Sequence, residues 1–188
     1  MARNTTYEVK FRRRREGKTD YKKRLALVKS RKMRIVVRKT NKKIIAQAMK
    51  FDPKGDITIA SVDSKDLKKY GWYGTNNTPS AYLVGFLLGK KIGKQSCILD
   101  IGRKHPSHGN VVFATLKGAV DAGVSVPYAA EAVPSEDRLN GKVLDAYSVK
   151  LGEKAKEVFS AYIKEGISPG SISKAFEKAK SEMAKVKE

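Results

Sequence analysis

Three aliphatic runs occupy residues 33–62, and the connectors between them are four residues each, Lys39-Thr40-Asn41-Lys42 and Asp52-Pro53-Lys54-Gly55. The first run, 33–38, holds Ile35-Val36-Val37; the second, 43–51, holds Ile44, Ile45, Ala46, Ala48 and Met49. The third, 56–62, alternates, with Ile57, Ile59 and Ser61 to one side and Thr58, Ala60 and Val62 to the other. Period-two alternation between turn formers reads as strands. A parallel pairing needs a crossover of a dozen or more residues, so connectors this short and turn-rich commit the segment to an antiparallel meander.

The rest of the chain has a different rhythm. A helix signal opens at Thr78, where Pro79 suits the first helical position. Tyr82, Leu83, Phe86 and Leu87 follow at helical spacing, and Gly85 and Gly89 would let a neighbour approach closely. Residues 96–101 are short and apolar and read as a central strand. A basic loop, Gly102-Arg103-Lys104-His105-Pro106, leads into a helix over 110–122 that Gly123 ends. Beyond Pro134 the pattern is helical, chiefly over 142–164, and a terminal helix carries Ile172, Phe176, Ala179, Met183 and Val186 as an amphipathic stripe. Upstream of the meander a helix over 20–30 is capped by Thr19 or Asp20, with Leu25, Leu27 and Val28 inward and Lys22, Lys23, Arg24 and Lys29 outward. Strand, strand, strand, helix, strand, helix is the order of an α/β sandwich with a mixed sheet. The expected organisation is a basic arm over 1–20, an α/β core domain over 21–130 and a helical C-terminal extension over 131–188.

Charge says what such a body faces. The 188 residues carry 40 Lys and Arg against 19 Asp and Glu, a net charge of +21. The first fifty hold 19 cations and 3 anions, net +16, and the remainder 21 and 16, net +5. Concentrated self-repulsion of that size implies an anionic partner, with nucleic acid ahead of an anionic membrane surface. No apolar run approaches the roughly 18 residues that span a bilayer. The polar start of the chain lacks a secretory leader pattern. A cytoplasmic protein with no membrane partner is therefore expected. The one cysteine, Cys97, excludes an intrachain disulfide and sits in an apolar run where a buried thiol is expected.

Within the arm, Lys10, Phe11, Arg12, Arg13, Arg14, Arg15, Lys18, Thr19 and Tyr21 form the densest constellation. Arginine's planar fork pairs with phosphate oxygens and stacks on bases, and the flanking Phe11 and Tyr21 offer faces for an unstacked base. Too short of aliphatic residues to build a core, the arm should be loose alone and ordered on a partner.

The stretch from Phe11 to Tyr21, with Arg24 after it, resembles the N-terminal signature of the ribosomal protein that binds 5S ribosomal RNA. That family is large-subunit protein eighteen in bacteria and archaea and protein five in eukaryotes. Further likeness lies in Met33-Arg34-Ile35-Val36-Val37-Arg38-Lys39-Thr40-Asn41, Lys69-Tyr70-Gly71, Thr75-Asn76-Asn77 through Ala81-Tyr82, Leu87-Leu88 and Leu99-Asp100-Ile101-Gly102. Its length fits the archaeal type. The resemblance implies a three-layer, ribonuclease-H-like sandwich that is not an enzyme. It also implies 5S and 23S ribosomal RNA as partners, together with neighbouring proteins such as large-subunit protein five, rather than a second copy of the chain. The family's RNA contacts map onto residues 10–24, Lys22 and Arg24 included. Arg38, Trp72, Asn76, Asn77, Arg103 and Lys104 are further candidates. Trp72-Tyr73-Gly74 departs from the family pattern, so those rings either stack on RNA or close the core.

Other chemistries find less support. A two-metal nuclease needs clustered carboxylates; Asp100 ends a strand, but the 33–38 strand carries no acid, and Asp52, Asp56, Asp63 and Asp66 stand at turns. His105 and His108 with a single cysteine fall short of a four-ligand zinc site. Gly71 and Gly74 lack the spacing and the Lys-Ser/Thr pair of a nucleotide phosphate loop. No cofactor is expected.

Overall fold

The computed structural model describes residues 5–185. Four strands form one sheet: β1 (Met33–Lys39), β2 (Ile44–Lys50), β3 (Ile57–Asp63) and β4 (Cys97–Asp100), in the order β3-β2-β1-β4. The meander is antiparallel as its connectors dictate, with Val36 opposite Gln47 and Gln47 opposite Ser61. β4 joins β1 in parallel, Ile35 opposite Leu99, so the sheet is mixed. β4 is thus an edge strand and not the central one its apolar run suggested. Beyond it, among the described residues, lies an isolated bridge from Ser96 to Ser125, and Cys97 is buried in the apolar cluster that the sheet shares with the helices.

Alternation sorts the side chains of the sheet. Ile35 and Val37, Ile44, Ala46 and Ala48, and Val62 point to one face and are buried. Against that face packs α3 (Thr78–Ile92), capped by the Asn77 side chain, which accepts from the Ser80 amide. α3 is buried almost all round because α4 (Val111–Asp121) lies on its other side. The two helices meet backbone to backbone. A Cβ on Gly85 would stand 1.9 Å from the Thr115 carbonyl oxygen, and one on Gly118 would stand 2.0 Å from that of Tyr82. Gly89 likewise lies against Ala119 and Ala122, so the close packing read from these glycines is realised.

The C-terminal segment adds to this same core. α5 (Glu136–Leu139), α6 (Lys142–Leu151), α7 (Ala155–Val158), α8 (Ser160–Lys164) and α9 (Ile172–Ala184) follow in turn. The helix expected over 142–164 is broken, since Gly152 takes a φ of 54° and a 3₁₀ turn over Gly152–Lys154 follows. On α9, Ile172, Phe176, Ala179 and Met183 are all buried, the stripe read from their spacing; Val186 lies outside the described residues. Asp145 of α6 accepts from the first amides of α9, Ile172 and Ser173, at 2.8 and 2.9 Å. Leu139, Phe159, Tyr162 and Phe176 belong to one apolar cluster with the sheet and α3. No helix among the described residues is long and apolar enough to cross a membrane.

Candidate nucleic-acid interface

The opposite face of the sheet carries Arg34, Val36 and Arg38 on β1 and Gln47 and Met49 on β2. Above it run the arm and α2 (Tyr21–Lys29), whose start is fixed by Asp20 accepting from the Lys22 and Lys23 amides. Between helix and sheet lies a cleft of about 850 Å³. This position explains why α2 buries none of its residues fully: it spans a cavity instead of capping the core. Leu25, expected inward, is 56% exposed, while Arg24, expected outward, is half-buried and turned to the sheet. An ion pair with Asp56 sets the helix's rotation, where apolar content alone suggested the reverse.

That pair belongs to a buried chain of charges. Arg34, 1% exposed, donates to Asp56 at 2.5 Å and to Asp100 at 3.2 Å. Arg24 reaches the same Asp56 oxygen at 2.8 Å, and Arg38 lies 3.8 Å from Asp100. Burial alone would raise the Asp56 carboxyl, but hydrogen bonds from Arg24 and Arg34 and the charge of both guanidiniums outweigh it and hold it below the ordinary carboxylate range. Asp100 also accepts from the Gly102 amide at 2.8 Å. Its carboxylate is thereby committed to two arginines and the turn after β4, an arrangement that fixes structure and leaves little for a metal.

Four consecutive arginines form a one-turn helix, α1 (Arg12–Arg15), with every side chain exposed. The turn is tied down behind: Arg13 donates to the Thr19 hydroxyl at 2.8 Å, and the Lys18 amide donates to the Arg13 carbonyl at 2.8 Å. Arg103, from the loop after β4, donates to the Gly17 carbonyl and so pins the arm to the body. Phe11, 72% exposed, packs against Tyr21 at 5.3 Å between ring centroids. The Arg12–Glu16 and Lys18–Glu16 pairs, at 3.7 and 2.8 Å, are solvent-exposed and contribute little to stability.

Many of the candidate residues therefore gather. Arg13, Lys18, Thr19, Tyr21, Arg24 and Arg38 line the large cleft. Arg14, Lys22 and Arg103 border a smaller one of about 250 Å³ beside it. Lys10, Phe11, Arg12, Arg15 and Lys104 stand exposed around them.

Trp72, Asn76 and Asn77 serve other ends. Trp72 is 1% exposed, donates from its indole nitrogen to Ser80 at 2.8 Å and meets Tyr162 and Phe176 edge-on. Its ring closes the core and offers no face to a base, which corrects its place among RNA contacts. Asn77 caps α3 and donates to the Tyr162 hydroxyl, and Asn76 leans on the Asn41 carbonyl at 3.5 Å. Sequence reasoning passed over Arg34 and Asp56 as site residues. An arginine flanked by Met33 and Ile35 in a strand was the available signal, because such a cation must be paired if buried.

A mixed sheet with one face packed on helices and the other bridged by the cationic arm and α2 defines a basic α/β protein with a cleft on its open sheet face. The family described as ribosomal large subunit proteins 60S L5 and 50S L18 matches residues 5–96 and 91–129. The large ribosomal subunit protein uL18 of Korarchaeum cryptofilum (strain OPF8) is 51% identical over 183 residues, 94% of this chain and 94% of that protein. The uL18 of Caldivirga maquilingensis is 47% identical over 192 residues, 97% of this chain and 93% of that one. The chain belongs to this family of large-subunit ribosomal proteins.

Proposed function

We propose that the chain binds 5S ribosomal RNA and anchors it in the central protuberance of the large subunit as a structural, non-catalytic component. The observation that carries this is the exposed arginine turn, Arg12–Arg15, held beside a cleft whose rim is also cationic. The arm tracks phosphates while the body presents a rigid basic face. Structured RNA is read by shape, sugar hydroxyls and splayed bases, so specificity resides in the loops and the cleft. 23S ribosomal RNA and neighbouring proteins, among them large-subunit protein five, complete the set of partners, and the chain works in the cytoplasm. The finer fold reading, a ribonuclease-H-like three-layer sandwich, rests on the same family likeness.

A salt-dependent titration with 5S RNA and a length-matched folded control RNA tests the proposal. Tight, 5S-selective binding is the expected result. Equal binding to both RNAs would reduce the chain to a general polycation.

A further inference from the structure

The cleft between α2 and the sheet is more than a basic surface. We propose that it receives a single nucleotide swung out of the RNA, base inward and phosphate at the rim. The inference deepens the RNA-binding reading above and rests on it.

Val36, Met49 and Leu99 give the bottom of the cleft an apolar strip beside the Gln47 amide and the buried Arg34. A phosphate alone gains nothing from such a floor, whereas the faces of a base do. The sides supply planar partners, the Tyr21 ring and the guanidinium of Arg24. The rim supplies exposed cations in Arg13, Lys18 and Lys23. Apolar below and cationic above is the polarity of one nucleotide, and about 850 Å³ lies within the range of sites that enclose small organic groups.

Arg34 shapes the back wall: it is 1% exposed and uses both terminal nitrogens on Asp56 and Asp100. The carboxylates of the cleft wall are thereby compensated by arginines, so they oppose an incoming phosphate little. A free mononucleotide shares this chemistry, so the test separates the two sources.

The experiment uses the full chain and 5S RNA with two variant pairs on the β2 floor. Gln47→Trp/Met49→Trp fills the cleft, and tryptophan suits a strand. Gln47→Ala/Met49→Ala empties it. Thermal melts verify that both fold.

The filled pair should lose about 10- to 100-fold in affinity, the value of one stacked base. Its salt slope should fall by no more than about 1, the one phosphate held at the rim. The emptied pair trims part of the floor but leaves the base its room, so it should lose clearly less than the filled pair, about 2- to 5-fold. Unchanged affinity in the filled pair, with the wild type still selecting 5S RNA, overturns the nucleotide cleft and spares the RNA-binding reading. Equal losses in both pairs also overturn it, since excluding the base must cost more than trimming part of its floor. If the wild type prefers no RNA, the parent reading falls and this inference with it. Titration of the free chain with 5′-nucleoside monophosphates assigns the source. Binding abolished in the filled pair identifies a free nucleotide, and its absence leaves the RNA-borne one.

Discussion

Asp56→Asn removes one charge from the buried chain that runs Arg24, Asp56, Arg34, Asp100, Arg38, and its cost can be worked from the geometry. Arg24 is about one-third exposed, so when its partner goes it turns to water at little expense. Arg34 has no such exit, because its side chain is 2% exposed and, among the described residues, Asp100 at 3.2 Å is the only carboxylate left to it. Stranding one member of a fully buried pair costs about 3–5 kcal/mol. The amide keeps an oxygen for Arg34 to donate to and Asp100 remains, so about 2–3 kcal/mol is the expected loss. For a chain of this length each kcal/mol lowers the melting temperature by roughly 2–4 °C, giving a fall of about 4–12 °C. Thermal denaturation followed by circular dichroism measures it. A second background sharpens the test: with Arg34→Met no buried cation is left to strand, and Asp56→Asn should then cost under about 1 kcal/mol. A variant melting within about 1 °C of wild type, or an undiminished cost on Arg34→Met, would refute the account.

Lowering the pH should reproduce part of that loss. The folded Asp56 carboxyl titrates below its unfolded value, so its contribution is complete above about pH 4 and fades as pH falls through the depressed value. Melts at successively lower pH should show a weaker acid dependence in Asp56→Asn. Trp72→Ala should cost about 3–5 kcal/mol in urea denaturation, as a large core truncation does, and leave the salt slope of RNA binding unchanged. Changing Arg12, Arg13, Arg14 and Arg15 together to alanine should move the melting temperature by under about 2 °C, since exposed charges contribute little. In a binding titration the same change should lower the salt slope by about 3–4 if each side chain neutralises a phosphate. Gly118→Ala forces a methyl to within 2.0 Å of the Tyr82 carbonyl, and overpacking of that kind should cost about 1–3 kcal/mol in the same denaturation assay.

What the sequence made legible was local. Short connectors and alternation gave the meander of β1, β2 and β3, Gly85 and Gly89 announced the approach of α4, and the stripe from Ile172 to Met183 gave the buried face of α9. What it hid depends on pairing across the chain. Arg34 and Asp100 are 66 positions apart, and nothing near either residue says that β4 will lie parallel beside β1 and bring them together. The inward turn of Arg24 has the same origin: helical periodicity finds an apolar face, but α2 faces a charged cavity, so its apolar Leu25 is left outside. Trp72 stayed open between two readings for another reason. A glycine- and aromatic-rich loop has the composition of a binding loop, and only the arrival of Tyr162 and Phe176 from about a hundred residues downstream turns it into core.

The cations of the arm and the sheet consequently fall into two groups with different work. Arg24, Arg34 and Arg38 are offset by Asp56 and Asp100, leaving that cluster at +1, and they hold α2 over the sheet whether or not a partner is present. Of Arg12, Arg13, Arg14 and Arg15, only Arg12 has a carboxylate within ion-pair reach among the described residues, and that pair is exposed. The fold thus spends its aspartates where burial would otherwise make a guanidinium intolerable. The arginines it leaves uncompensated lie in water, where they cost little. The +16 of the first fifty residues is therefore not a uniform polycation. Its neutralised part builds a cleft of fixed shape, and its uncompensated part lies beside the mouth of that cleft; under the proposed function, attraction to phosphate would draw RNA toward that cleft.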